Sequence, residues 1–173
     1  SKKTSQNGGF SYNSITYSDF NNTVSKTASG LINLGIKKGD RIIVFVPIST
    51  ELYISIAALQ RLGAIPVLLD SYSRQEQLAA IIQNSQPCGI IAPTMLIQAF
   101  STLLDAFNIN VRISTDKNPK RNKIVRLVSL FSEKAQKIAS VKQGDTALIT
   151  YTTGSSGTPK GVNRTHRFLA AQH

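Results

Sequence analysis

The residues best suited to chemistry in this sequence lie in a segment rich in glycine and hydroxyl side chains, residues 152–161. Ten residues here contain three glycines, five hydroxyl side chains and one lysine. Glycines let a backbone turn tightly and approach a ligand, hydroxyls donate hydrogen bonds to phosphate oxygens, and a lysine adds a positive charge. An apolar run at 147–151, typical of a buried strand, directly precedes the segment. We therefore predict a loop that binds a polyphosphate.

The spacing separates this segment from two other phosphate-binding loops. A Walker A loop counted from Gly154 needs a glycine at 159 and a hydroxyl at 161, where this sequence has Pro159 and Gly161. A dinucleotide fingerprint needs glycines at 156 and 159, where it has Ser156 and Pro159. A flexible Gly/Ser linker is the alternative. The strand before the segment and the Pro-Lys-Gly-Val sequence that ends at Val162 weigh against a linker.

Alternating apolar patterns predict the elements that position this loop. Strand-length apolar runs occupy 41–47, 65–69, 89–92, 110–113 and 147–151. Patterns with apolar residues three and four apart predict helices at 18–34, 51–62, 73–86, 94–107 and 130–138, the first with Ser18 as its N-cap. Strands separated by helices at this interval indicate parallel crossovers. The predicted fold class is α/β, with alternating strands and helices forming a mostly parallel sheet.

Net charge is the composition figure that points to a partner. The chain has 20 Lys and Arg against 9 Asp and Glu, a formal charge of +11. Such a chain attracts nucleic acid, anionic lipid or phosphate ligands. Part of the charge falls in 114–124, which we predict to be a basic surface loop, and on its flanks, at Arg112, Lys117, Lys120, Arg121, Lys123 and Arg126. A basic nucleic-acid-binding domain is therefore an alternative function, although no aromatic residue is interleaved with these charges.

Composition excludes several classes of protein. Of the 173 residues, 41% are hydrophobic and 17% charged, which is unlike an intrinsically disordered chain. The single cysteine, Cys88, cannot form an intramolecular disulfide, and with two histidines in the chain no cluster has metal-ligand spacing. No stretch approaches the roughly 20 apolar residues of a membrane helix, and the first residues lack a signal-peptide core. We expect a cytoplasmic protein without a transmembrane segment.

Residues 149–162, Ile-Thr-Tyr-Thr-Thr-Gly-Ser-Ser-Gly-Thr-Pro-Lys-Gly-Val, resemble the signature loop of the AMP-forming adenylating enzymes. This superfamily includes acyl-CoA synthetases, fatty acyl-AMP ligases, luciferases and peptide-synthetase adenylation domains. Weaker resemblances follow in the family's order: 15–20 to its Thr-Tyr-x-Glu-Leu stretch, 38–42 to its Gly-Asp-Arg-Val turn, 62–67 to its Gly-Ala region and 165–167 to its Thr-His-Arg. Asp19 and Phe20 replace the usual Glu and Leu.

The resemblance implies an activity and its cofactors. Members of this family activate a carboxylic acid with ATP and Mg²⁺, form an acyl adenylate and release pyrophosphate. Most then pass the acyl group to the thiol of CoA or of a carrier-protein phosphopantetheine. The loop would stabilise the phosphates electrostatically through amides, hydroxyls and a lysine. The implied cofactor-binding residues are Thr152, Thr153, Gly154, Ser155, Ser156, Gly157, Thr158 and Lys160, with His166 as a further candidate.

The resemblance also implies a domain organisation. Residues 1–173 would form an incomplete N-terminal domain of a longer enzyme, with the C-terminal domain absent. It divides into a first βα portion at 1–113, the basic loop at 114–124, and the strand, phosphate loop and next helix start at 125–173. We expect no catalytic residue and no metal ligand here, since the Mg²⁺ ligands belong downstream, and no activity from this piece alone. A non-catalytic interaction scaffold of the same fold is the second alternative.

Overall fold

The computed structural model describes residues 3–4, 10–11, 14–69, 75–117, 124–131, 140–153 and 159–172. The strands, in chain order, are β1 (Lys3–Thr4), β2 (Phe10–Ser11), β3 (Arg41–Val44), β4 (Ile65–Leu68), β5 (Gly89–Ala92), β6 (Val111–Ser114), β7 (Val125–Arg126), β8 (Thr146–Thr153) and β9 (Pro159–Thr165). The helices are α1 (Tyr17–Asn33), α2 (Thr50–Leu62), α3 (Gln75–Ser85), α4 (Thr94–Ala99), α5 (Ser101–Ala106), α6 (Leu127–Leu130) and α7 (His166–Ala170).

Seven strands form one sheet in the order β7-β6-β5-β3-β4-β8-β9. Every neighbouring pair in it is parallel except β8 and β9, which are antiparallel. The short strands β1 and β2 pair separately. The prediction of a mostly parallel α/β sheet is therefore confirmed. Because the strands from β3 to β8 run in one direction, their carboxyl ends share one edge of the sheet, where ligands of open α/β sheets bind.

Helices cover both faces of the sheet. Alternate residues of β3 belong to different core clusters: Ile42 and Val44 to one and Ile43 to the other. The first cluster contains side chains of α1, α2 and α6, such as Leu31 and Leu59. The second contains side chains of α3, α4 and α5. Burial on both faces explains why β5, and β3 after Arg41, have apolar residues without alternation.

Helix ends show where local pattern and structure differ. We predicted Ser18 as the N-cap of α1, whereas the cap is Thr16, whose Oγ1 accepts the Asp19 backbone N–H at 3.0 Å.

The helix predicted over 94–107 is two helices that meet at Phe100. The ring of Phe100 stacks on that of Phe45 at the break, with centroids 6.4 Å apart. Periodicity did not indicate this break, because apolar residues keep a helical spacing on both sides of it.

Two predicted segments extend outside the described residues. The segment predicted as a basic loop, 114–124, begins within β6, where Ser114 is buried and its hydroxyl lies 2.7 Å from that of Thr94. Ile124, at its other end, packs against the second core cluster. Residues 118–123 between them and most of the helix predicted over 130–138 are not among the described residues. In the described part of the chain, no helix has the length and apolar character needed to cross a bilayer.

Candidate functional site

The candidate loop connects the two strands of a hairpin. β8 and β9 pair in antiparallel register, with Thr153 opposite Pro159, Thr152 opposite Lys160 and Tyr151 opposite Gly161. The carboxyl end of β8 lies at the edge of the sheet where β3, β4 and β5 also end. This is the edge at which α/β sheets bind ligands.

The five residues at the tip, 154–158, lie outside the described residues. The roles expected of Gly154, Ser155, Ser156, Gly157 and Thr158 therefore stay predictions. Thr153 is the last residue of β8, at the start of the tip. Among the predicted phosphate-binding residues, Thr152 and Lys160 are those whose side chains the structure describes.

Thr152 and Lys160 place a hydroxyl and an ammonium together at the base of the loop. Both residues are exposed and directly opposite each other across the hairpin. Directly opposite residues have their Cβ atoms about 5 Å apart on one face of the sheet. The structure thus places two of the predicted phosphate-binding residues, at 152 and 160 in the sequence, directly opposite each other.

The local charge suits an anion. Between Thr146 and Thr165 the sequence has no Asp or Glu, while it has Lys160 and Arg164. The donor set is therefore one of hydroxyls, backbone amides and an ammonium, which fits a polyphosphate and offers no carboxylate to Mg²⁺. Throughout the described residues, no group of three or more His, Cys, Asp or Glu side chains could hold a metal ion.

His166 lies at the other end of the hairpin. It follows Thr165, which pairs with Thr146 at the start of β8, and its backbone N–H donates to the Asp145 carbonyl at 3.1 Å. The eight residues of β8 span roughly 23 Å at the usual rise of a strand. The structure therefore does not bring His166 to the loop. Its Nε2 is buried and has no hydrogen-bond partner among the described residues.

Two similar turns precede strands β3 and β8; sequence reasoning identified the first, at 38–42, and missed the second. Both have the sequence Lys-x-Gly-Asp, at 37–40 and 142–145. In each turn the Asp carboxylate accepts the backbone N–H of the first lysine, at 2.8 Å for Asp40 and 2.9 Å for Asp145. The second occurrence of this tetrapeptide before a strand was the signal that could have located the second turn.

An ion pair joins these two turns. Lys38 Nζ lies 2.7 Å from Asp145 Oδ2 and donates a second hydrogen bond to the Ser140 carbonyl at 3.3 Å. The hydrogen bond from Lys38, followed by that from the Lys142 backbone, lowers the pKa of Asp145 below its ordinary value. The start of β8 is thereby tied to the turn before β3, at the amino edge of the sheet.

Known proteins resemble this chain over most of its length. It is 34% identical over 157 residues to a hybrid PKS-NRPS synthetase from Trichoderma harzianum. The aligned region covers 90% of this chain and 4% of that protein. It is also 30% identical over 159 residues to an uncharacterized acyl-CoA ligase, YtcI, from Bacillus subtilis. That aligned region covers 91% of this chain and 30% of the relative. The chain thus spans less than a third of either relative.

A solved structure and a family model agree with this resemblance. The adenylation domain of a carboxylate reductase from Mycobacterium chelonae superposes with a TM-score of 0.81 at 21% identity, covering 98% of this chain and 31% of that one. This likeness shows a shared fold. The model of the AMP-binding enzyme family matches residues 3–173, which include the hairpin and the loop. The chain belongs to the AMP-binding enzyme family, the AMP-forming adenylating enzymes that its loop sequence resembles.

Proposed function

We propose that the protein containing this chain activates a carboxylic acid with ATP. A carboxylate oxygen attacks the α-phosphorus of ATP, the bond from that phosphorus to the bridging oxygen breaks, and pyrophosphate leaves as the acyl adenylate forms. The observation that carries the proposal is the exposed pair of Thr152 and Lys160 at the base of a glycine- and hydroxyl-rich loop on the carboxyl edge of the sheet. Membership of the AMP-binding enzyme family supports it.

In this proposal the loop binds the β- and γ-phosphates of ATP. The hydroxyls of Thr152, Thr153, Ser155, Ser156 and Thr158 donate hydrogen bonds, while Gly154 and Gly157 let the backbone approach the phosphate oxygens. Lys160 supplies positive charge against the negative charge of the leaving pyrophosphate. Mg²⁺ would neutralise charge on the phosphates, and its protein ligands would come from outside this hairpin, which has no carboxylate.

The acyl group then passes to a thiol. The Bacillus subtilis relative is named an acyl-CoA ligase, and the Trichoderma harzianum relative is named a hybrid PKS-NRPS synthetase. We propose CoA or a carrier-protein phosphopantetheine as the acceptor. The sulfur attacks the carbonyl carbon of the adenylate, a thioester forms and AMP leaves. The partners in this scheme are ATP, a carboxylic acid and the thiol.

The test is exchange of labelled pyrophosphate into ATP by the whole protein with a broad panel of carboxylic acids. We expect exchange with at least one acid, and a decrease of about 10²-fold in kcat/KM for ATP in Lys160→Ala, because one preorganised electrostatic contact is removed. Lys37→Ala is the matched control, since Lys37 is an exposed lysine in the turn at the amino edge of the sheet. It should exchange like the wild type.

Two results would contradict the proposal. One is a folded whole protein that shows no exchange with any acid and no ATP binding, which favours the non-catalytic scaffold. The other is a Lys160→Ala variant with wild-type exchange, which removes the loop from the reaction.

A further inference from the structure

The ring of Tyr151 lies across the backbone of Gly161. A Cβ atom added to Gly161 would sit 2.9 Å from Tyr151 Cζ and 3.1 Å from its Oη. Real Cβ atoms do not come within 3.0 Å of such neighbours, so a side chain at 161 requires the ring or the strand to move. Gly161 does not have a φ in the left-handed region. The ring, and not the backbone conformation, is therefore what demands glycine at this position.

The ring of Tyr151 also contacts the core. Tyr151 is half-buried and packs against the second core cluster, to which Ile149 of the same strand belongs. Residues two apart in a strand face the same side of the sheet. The side of β8 that carries Tyr151 is thus anchored, and the ring cannot move inward without displacing packed side chains.

The opposite side of the same hairpin carries the phosphate-binding pair. Tyr151 and Gly161 form one cross-strand pair, and Thr152 and Lys160 form the next one toward the loop. Because successive residues of a strand face opposite sides, the Tyr151 ring lies on the side of β8 that faces the core, while Thr152 and Lys160 are exposed on the other side and Gly161 is exposed beside the ring. A side chain at 161 that pushed β9 away from the ring would therefore also move Lys160, the next residue of β9, relative to Thr152.

We propose that Tyr151 and Gly161 are positioning residues that hold Thr152 and Lys160 in the geometry that binds the phosphates of ATP. The inference rests on the proposed function and adds two residues that do not themselves contact ATP. A displacement of about 1 Å in a positioning group can cost about 10²-fold in rate, so a small movement of β9 has a measurable effect.

The test uses ATP-pyrophosphate exchange by the whole protein. In Gly161→Ala we expect KM for ATP to rise about tenfold, with KM for the acid unchanged, because β9 moves away from the ring. Gly144→Ala is the matched control: a Cβ there meets no atom within 4 Å, and φ is not in the left-handed region. It should keep the wild-type KM for ATP.

Two double variants distinguish positioning from general loss of structure. Tyr151→Leu combined with Gly161→Ala should recover a lower KM for ATP than Gly161→Ala alone, since leucine lacks the far end of the ring. Adding Gly161→Ala to Lys160→Ala should raise KM for ATP no further, because the effect acts through Lys160. If Gly161→Ala does not fold, Tyr151→Leu alone is measured, and a rise in KM for ATP without a change in KM for the acid is expected.

The measurements distinguish failure of the positioning role from failure of the proposed function. A wild-type KM for ATP in Gly161→Ala, or fully multiplicative effects of Gly161→Ala and Lys160→Ala, overturns the positioning role while the proposed function stands. Wild-type exchange by Lys160→Ala removes the loop, and with it the positioning role, from the reaction, whereas a folded wild-type protein that neither exchanges pyrophosphate nor binds ATP overturns the proposed function itself.

Discussion

Asp145 is the residue whose charge state bears most directly on how β8 is held. Its carboxylate accepts hydrogen bonds from Lys38 Nζ and from the Lys142 backbone, and these lower its pKa. A carboxyl group with a lower pKa in the folded state stabilises the fold above its unfolded pKa, and this stabilisation is lost as pH falls through the folded pKa. Both side chains of the pair are about one-third exposed, at 38% for Lys38 and 30% for Asp145, so the effect should be small.

We therefore expect Asp145→Asn to lower the melting temperature slightly at pH 7, and the difference from wild type to shrink as the pH is lowered toward 3. Thermal unfolding of both proteins across this pH range measures it. Lys38→Met is the matched partner variant, because methionine keeps much of the methylene stem that lies over Gly63. The double variant should be little less stable than either single one, and a melting-temperature difference that is equal at every pH would contradict the ion pair's role.

In helix α2, the sequence specifies both ends of the helix. The Ser49 hydroxyl accepts the Leu52 backbone N–H at 3.3 Å at its start, and Gly63 ends it with φ +80°. The helix predicted over 51–62 is confirmed, and its ends are those that serine, a favoured N-cap, and glycine, which adopts the left-handed region without strain, specify.

For this element we expect Gly63→Ala to lower the free energy of unfolding by at least about 1–2 kcal/mol, the cost of a left-handed alanine, since the added Cβ would also meet Lys38 Cγ at 2.9 Å. Ser49→Ala should lower it by about 1 kcal/mol through loss of the cap. Urea denaturation checks both, with Gly144→Ala as the control, because that glycine has open space and no left-handed φ. Equal destabilisation by Gly63→Ala and Gly144→Ala would show that the left-handed cap contributes nothing.

Across the whole molecule, the basic side chains behind the net charge of +11 include some that the fold itself engages, among the residues that the structure describes. Arg112 pairs with Asp105, and Arg126 donates to the Lys117 carbonyl at 3.4 Å. Arg61 donates hydrogen bonds to Asn21 and Ser25. Several of the positive charges thus have partners within the fold.

We therefore expect the protein to bind a short DNA duplex or RNA no more tightly than about 10⁻⁶ M at about 150 mM salt, and without sequence preference, as ordinary non-specific binding does. Electrophoretic mobility shifts over a salt series measure this. Tight binding that weakens steeply with salt would instead support the nucleic-acid alternative.

Much of the fold could be predicted from local pattern. Strands β3, β4 and β5 could be predicted because their own apolar residues mark them as buried strands. Helix α2 could be predicted because its sequence contains the N-cap serine and the C-cap glycine. β9 was not predicted. Its residues from Lys160 to Asn163 are exposed and show no apolar alternation. They are extended because β8 offers them a partner, and pairing of this kind has no local signal.

Residue type and short-range spacing were enough to show the donor groups present at 152–161, the α/β class and the resemblance to the adenylating family. Only the tertiary structure decided which residues share a site. It placed Lys160 opposite Thr152, put the Tyr151 ring over Gly161, joined Lys38 to Asp145 and set His166 at the far end of the hairpin. The physical reason is strand register: it depends on long-range packing, and it determines which side chains meet and which are separated by the length of a strand.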